Sequence, residues 1–379
     1  MNNGDTNKDY GEYFSAIERK IESGNTESFE KVVPLSESEI KEIIPQRQKK
    51  KRRRVNTKLF ALFFLCVFLA LTVAALAVFI PLSLDDNEKK NADSSEITLE
   101  PQDKIETKPI VDLYPKESAN FTPMPKLNSS SAIMVKLSDN SIISSLNANE
   151  RMYPASTTKL MTLLVAIEHI SDLNETVSVS ADIVDFMYKE GATVAGYVAD
   201  EEVSYNDLLY GLILPSGGDA ALAICNAIAG GEEDFVKLMN EKVRSLNLKN
   251  TNFANSTGLH HTNHYSSVTD MSIILSEVLK NSTAKKIIST YKYKAQPTNK
   301  HPEGLDLTST LFSYMYGTEP KTATILGGKT GWVSESGYCI ASYGTPNGSS
   351  EEYICVTFNA RSRYPAVYDH IDIFAAFAK

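Results

Sequence analysis

An α+β domain is the fold class this sequence predicts, on three observations. Short alternating segments around 132–145 read as strands, helical-period segments fill 156–279, and apolar strand-like segments return at 338–343 and 353–358. Strands at both ends with helices between them imply one antiparallel sheet with helices packed on it and an inserted helical lobe.

Taken in order, residues 132–137 and 142–145 alternate around Ser138-Asp139-Asn140, which reads as a hairpin. Helical patterns follow over 156–170, 205–213, 220–229, 234–246 and 269–279. The first of these carries Leu160, Met161, Leu163, Leu164, Val165 and Ile167 with few polar gaps, so it is expected to be buried on most sides. A final helix is expected over 365–377, and no separate β-rich domain is expected after Phe377-Ala378-Lys379. A functional cleft belongs where the lobe meets the sheet.

The globular region is expected over 127–379, beginning at Leu127. Ahead of it, a charge-free apolar run opens at Leu59 and closes at Ile80. At 1.5 Å per residue it measures about 33 Å, enough for a transmembrane helix. The basic run from Lys49 to Arg54 precedes it and Asp85-Asp86 follow it, which puts residues 1–58 in the cytoplasm and the domain outside. The run is too long, and begins too far into the chain, for a cleaved signal peptide. Residues 1–58 are polar and acidic before their basic end, suited to disorder or to docking a cytoplasmic partner. Residues 81–126, rich in Asp, Glu, Lys, Asn and Pro, read as a stalk. A net charge of −9 argues against nucleic acid as a partner.

Three short motifs carry the chemistry: Ser156-Thr157-Thr158-Lys159, Ser216-Gly217-Gly218-Asp219, and Lys329-Thr330-Gly331-Trp332. S-x-x-K then S-x-x then K-T-G is the order of an acyl-transfer serine site in which Lys serves as the base. S-x-x-K alone is common here, recurring at Ser28, Ser38, Ser282 and Ser289. Ser156 is set apart by Pro154-Ala155 before it and the apolar helix after it. The bland alternative is a helix-capping Ser beside a snorkelling Lys. K-T-G occurs once, after Gly327-Gly328, where a strand bearing Lys and Thr next to Gly lets a substrate lie against the backbone.

These segments resemble the low-molecular-mass penicillin-binding proteins, the S11 D-Ala-D-Ala carboxypeptidases. The likeness extends to Asp207-Leu208-Leu209-Tyr210-Gly211-Leu212, Asn255-Ser256-Thr257-Gly258-Leu259, His264-Tyr265-Ser266 and Gly337-Tyr338-Cys339. It implies the β-lactamase/penicillin-binding-protein-like transpeptidase fold and removal of the terminal D-alanine from peptidoglycan stem peptides, without a cofactor or metal. β-Lactams would be covalent inhibitors. By this resemblance Ser156 is the nucleophile, Lys159 its base, and Ser216 a proton shuttle to the leaving D-alanine. Backbone N–H groups of Ser156 and Trp332 form the oxyanion hole. Lys329 and Thr330 hold the substrate carboxylate, with Arg361 or Arg363 a weaker candidate, and Gly331 belongs to the same strand. Burial and repulsion from Lys329 are expected to lower the Lys159 pKa. Gly218 stands where the family carries Asn, whose amide contact with substrate is then missing. An Asn restored there is expected to regain it. Two alternatives remain at this level: a β-lactamase on the same scaffold, or a non-catalytic wall-binding or signalling protein.

Cys339 and Cys355 fall on neighbouring expected strands, so they are open to a disulfide outside the cell, although buried free Cys is common. Cys225 is expected in the core and Cys66 in the membrane span. His260, His261 and His264 with Asp270 lack the helical spacing of a zinc site.

Overall fold

In the computed structural model, which describes residues 113–318 and 320–379, the expected hairpin is β2 (Ser131–Lys136) and β3 (Ser141–Leu146). Three long strands close the sheet: β8 (Ala323–Val333), β9 (Gly337–Pro346) and β10 (Tyr353–Ala360). β10 is largely apolar because both sheet faces are covered, whereas β8 carries the polar K-T-G. A two-residue strand, β1 (Lys116–Glu117), adds to β3 in parallel. The order is β1-β3-β2-β10-β9-β8, with every pair but the first antiparallel. The sheet is therefore mixed at one edge. Residues 113–126, expected in the stalk, pack on the domain instead: Leu113 and Tyr114 lie against the core, and Met124 is buried.

Between the two strand groups lies the helical lobe. Its helices are α1 (Lys159–His169), α2 (Ala181–Lys189), α3 (Tyr205–Ile213), α4 (Gly218–Ala229), α5 (Glu232–Ser245), α6 (Val268–Lys280) and α7 (Ser282–Ser289). Two small ribbons interrupt it, β4 (Thr176–Val179) with β5 (Glu201–Ser204), and β6 (Lys292–Lys294) with β7 (Asp306–Thr308). α8 (Thr310–Met315) and α9 (Arg363–Phe377) complete the chain. Sequence period missed α2, α7 and α8, of 9, 8 and 6 residues. Local caps mark two of them: Asn281 accepts from Ala284 N–H at 3.0 Å and Ser309 from Phe312 N–H at 3.5 Å.

One sheet face meets the lobe. Ile133, Val135, Ile354, Val356 and Phe358 pack there with α1, α3, α4 and α6. The other face, with Met134, Ile340 and Cys355, packs on Val367, Ile373 and Phe374 of α9. α1 runs through the lobe core with Leu160, Met161, Leu163, Leu164 and Val165 buried. At roughly 1.5–3 kcal/mol per large buried side chain, this helix is anchored firmly enough to hold whatever precedes it. Cys339 and Cys355 are free thiols. Cys355 stands opposite Ser342 and Thr357 opposite Ile340, so Cys339 falls on the opposite sheet face and a bridge is impossible. Among the described residues no helix is long and apolar enough to cross a membrane. The span expected from Leu59 to Ile80, the tail 1–58 and the stalk up to 112 lie outside the described residues.

Candidate active site

Ser156 sits on a 3₁₀ turn, Ala155–Thr158, that leads into α1. The helix expected over 156–170 therefore starts tighter than an α-helix. Ala155 adopts a left-handed φ of 47°, unusual for a residue with a Cβ. Two close approaches brace that turn. A Cβ on Gly258, whose φ is 83°, would lie 2.1 Å from the Ala155 carbonyl oxygen, and one on Gly331 would lie 2.8 Å from the Ser156 nitrogen. K-T-G thus packs directly on the Ser156 turn, and both positions require glycine.

The Ser156 side chain caps no helix. Its Oγ instead accepts from Lys159 Nζ at 3.2 Å. Lys159 is buried, and its ammonium also donates to the Thr257 carbonyl at 2.6 Å. Burial pushes its pKa down to about 7, against the upward pull of Asp219 and then Glu232. The lowering expected from Lys329 falls on Lys329 itself, held well below its ordinary value by burial and then by Lys159. Among the other described S-x-x-K pairs, Lys285 is held by Glu352 at 2.8 Å and Lys292 lies over Tyr291. The pairs at Ser28 and Ser38 lie outside the described residues.

A loop from the lobe fastens the turn from behind. Thr162 Oγ1 donates to the Ser256 carbonyl at 2.7 Å, and Ser256 donates through both N–H and Oγ to Glu232 at 2.8 and 2.6 Å. His264 is buried, and its Nδ1 accepts from Ala254 N–H at 3.1 Å. That leaves Nε2 to donate to Thr158 Oγ1, 2.7 Å away. Burial, then His261, His260 and Lys159, push its pKa down to about 3, so the imidazole stays neutral. Asp270 turns to other partners, Asn250 N–H and Thr251 Oγ1, both at 2.7 Å. His264 and Asp270 therefore share no ligand position.

Ser216 is buried in its own left-handed turn, with φ of 69°. Backbone bonds fix that turn: Gly217 N–H to the Gly211 carbonyl at 2.9 Å and Gly218 N–H to the Thr193 carbonyl at 2.8 Å. Asp219 latches it to the loop after α2 by accepting from the N–H groups of Ala195, Gly196 and Tyr197 at 2.7, 2.9 and 3.1 Å. Gly218 starts α4 without a left-handed φ. A Cβ there would meet Met187 Sδ of α2 at 2.5 Å. A buried thioether thus occupies the space that an Asn side chain would enter, and the expectation that Asn simply restores a contact needs correction.

On β8, Lys329 is buried and donates to the Thr330 carbonyl at 2.8 Å. Thr330 Oγ1 shares a 2.7 Å hydrogen bond with Thr310 Oγ1. Thr310 N–H donates to the Leu214 carbonyl at 2.9 Å, so one residue links the K-T-G strand to the segment entering Ser216. Trp332 is exposed, while Arg363 lies over the rings of Tyr314 and Tyr364. The contacts of Thr310, Asp219, Thr257, His264 and Met187 escaped the sequence reading. Asp219, Thr257 and His264 carried a local signal, as members of the motif and resemblance segments.

A sheet backed by one helix and faced by a helical lobe, with a Ser-Lys pair packed against a K-T-G strand, defines the serine penicillin-binding class. Residues 116–362 match the profile of peptidase family S11, D-alanyl-D-alanine carboxypeptidase, and the chain belongs to that family. It is 33% identical over 210 residues to D-alanyl-D-alanine carboxypeptidase DacF of Bacillus subtilis, covering 55% of this chain and 52% of the relative. It is 32% identical over 231 residues to DacA of Haemophilus influenzae, covering 59% and 55%. The match thus spans about half the length of these relatives. Among solved structures, the Streptomyces K15 DD-transpeptidase is 26% identical with a TM-score of 0.58, covering 66% of this chain and 98% of that one. Penicillin-binding protein 5 from Haemophilus influenzae is also 26% identical with a TM-score of 0.58, covering 66% and 71%.

Proposed function

We propose that this protein is a penicillin-binding D-Ala-D-Ala carboxypeptidase that trims the terminal D-alanine of peptidoglycan stem peptides through a Ser156 acyl-enzyme. The observation that carries this reading is the buried Lys159 ammonium, 3.2 Å from Ser156 Oγ and with its pKa pushed down to about 7. A lysine in that state is neutral for part of the time near pH 7 and can take the serine proton. Ser156 Oγ attacks the carbonyl of the D-Ala-D-Ala bond and Lys159 Nζ takes its proton. Backbone N–H groups of Ser156 and Trp332 face the developing oxyanion. Ser216 passes a proton to the departing amine. Lys329 and Thr330 hold the terminal carboxylate, whose charge stabilises the protonated form of a lysine that is otherwise costly to bury. Water then attacks the acyl carbonyl and releases the shortened peptide. The test is mass spectrometry after exposure to a labelled penicillin, joined to D-alanine release from a D-Ala-D-Ala peptide. Absence of both would remove the reading.

The amino-terminal region completes the proposal. The run from Leu59 to Ile80 anchors the chain in the membrane, and the basic run from Lys49 to Arg54 keeps residues 1–58 in the cytoplasm. External protease on intact cells should then release an active domain and spare the tail. The opposite pattern would reverse the orientation.

A further inference from the structure

The candidate site continues past the K-T-G strand into a line of aromatic side chains. Trp332, the residue after K-T-G, is 55% exposed, Tyr364 is 54% and Tyr368 is 49%. Half-buried rings join them. Trp332 tilts against Tyr338 with centroids 5.9 Å apart. Tyr338 and Tyr314 both pack, partly buried, against the core cluster that α9 covers. The Arg363 guanidinium lies 5.1 Å from the Tyr314 centroid and 5.0 Å from that of Tyr364. Tyr364 and Tyr368, one turn apart on α9, stack at 6.4 Å. The track therefore has two segments on one core cluster, Trp332 with Tyr338 on β8 and β9, and Tyr314 beside Arg363, Tyr364 and Tyr368 at the start of α9.

Its chemistry is selective. The other large apolar side chains exposed among the described residues are Phe186, Tyr188, Val194 and Val198, all on α2 or the loop after it. The track itself holds no exposed aliphatic or Phe side chain of the kind that dips into lipid. Each ring has an apolar face and a polar rim, a hydroxyl on Tyr or an N–H on Trp. Arg363 adds a fork of donors. Pyranose rings match such a surface, because their axial C–H faces pack on aromatic faces while hydroxyl and N-acetyl oxygens accept from the rims and the guanidinium. Stacked bases would match the rings too, but the net charge of −9 opposes a polyanion.

We propose that this track binds the glycan strand of peptidoglycan, a chain of β-linked N-acetylated amino sugars. The saccharide runs along the start of α9 while its peptide branch enters at Lys329 and Trp332. The identity of the saccharide rests on the carboxypeptidase reading; the saccharide-binding surface does not. The track supplies affinity for substrate on the polymer and none for a free peptide.

Trp332 is the only tryptophan in the chain, so its emission reads this surface alone. The full-length chain is titrated with a hexasaccharide of N-acetylglucosamine, and kcat/KM is measured on a pentapeptide free and attached to a glycan oligomer. A saturable change in emission is expected, with affinity at least tenfold weaker in the Tyr364→Ala/Tyr368→Ala variant. That variant should lose at least fivefold on the glycan-linked peptide while its penicillin acylation and its rate on the free peptide stay at wild-type level. No saturable response in the wild type, or equal affinity in the variant, overturns the proposal. So does a Trp332 emission shift in phosphatidylglycerol vesicles that the variant abolishes while the hexasaccharide changes nothing, for the track is then a membrane face. Hexasaccharide binding through the track without D-alanine release from any peptide would leave the track standing and remove the carboxypeptidase reading.

Discussion

Two turns carry the serines of the first two motifs, and they are held in different ways. Each uses a left-handed residue that is not glycine, Ala155 at 47° in the first and Ser216 at 69° in the second. Around Ser156 the strain is braced by side chains and by backbone packed where a Cβ would clash: Lys159 to Thr257, His264 to Thr158, and Gly258 and Gly331 against the turn. Around Ser216 the strain is in the serine itself, and it is held by main-chain bonds and one carboxylate, Asp219. The first turn admits no Cβ at Gly258 or Gly331, and the second admits none at Gly217. The second depends on a loop 20 residues away staying docked, so it is the more adjustable of the two, roughly as loops are relative to the elements that carry them.

That contrast breaks most sharply at the proposed nucleophile. Ser156→Ala should show no mass increase with labelled penicillin and no D-alanine release, whereas Ser282→Ala should behave as wild type. Labelling that survives in the first and vanishes in the second would move the nucleophile to α7. Next in size is Gly258→Ala. The new Cβ would overlap the Ala155 carbonyl in a backbone region that costs about 1–3 kcal/mol for a residue other than glycine. Displacing the turn by about 1 Å should slow acylation on the order of 100-fold. A variant that melts lower but acylates at the wild-type rate would show that the brace serves stability alone.

The second turn should respond in a graded way. In the wild type, acylation should rise with pH through about 7 as Lys159 loses its proton. Asp219 raises that pKa, so Asp219→Asn should move the acid limb to lower pH. It should also lower stability by roughly 1.5–3 kcal/mol as charge-assisted bonds to residues 195–197 weaken. An acid limb moving upward would show that Asp219 does not act on Lys159. The smallest effect belongs to Gly218. Gly218→Asn alone should give no gain, because Met187 Sδ fills the space. Gly218→Asn with Met187→Ala should gain about threefold to tenfold in kcat/KM, the worth of one net hydrogen bond of about 0.5–1.5 kcal/mol. Equal gains with and without Met187→Ala would mean that the thioether yields freely.

What could be read from the sequence follows the same division. Ser156 and Lys159 are three residues apart on one element, so their meeting follows from local geometry. K-T-G lay beside them as the motif order implied, and the strands at 338–343 and 353–358 were plain because both faces are covered. The Asp219 latch, the Thr310 link and the Met187 contact join residues whose proximity is set by lobe packing, which no spacing encodes. The sequence leaves a bridge between Cys339 and Cys355 open because their relation depends on strand register, where one residue reverses the face. β1 escaped because two residues carry no period.

The unpaired thiols have one practical consequence. Cys225, Cys339 and Cys355 are all buried and all reduced, and burial raises the pKa of each, which keeps the reactive thiolate scarce. Nothing in the cross-linking state of the domain then changes between an oxidising and a reducing medium. Dithiothreitol should leave its melting temperature unmoved, and production in a reducing expression host should yield the native domain without an oxidative refolding step.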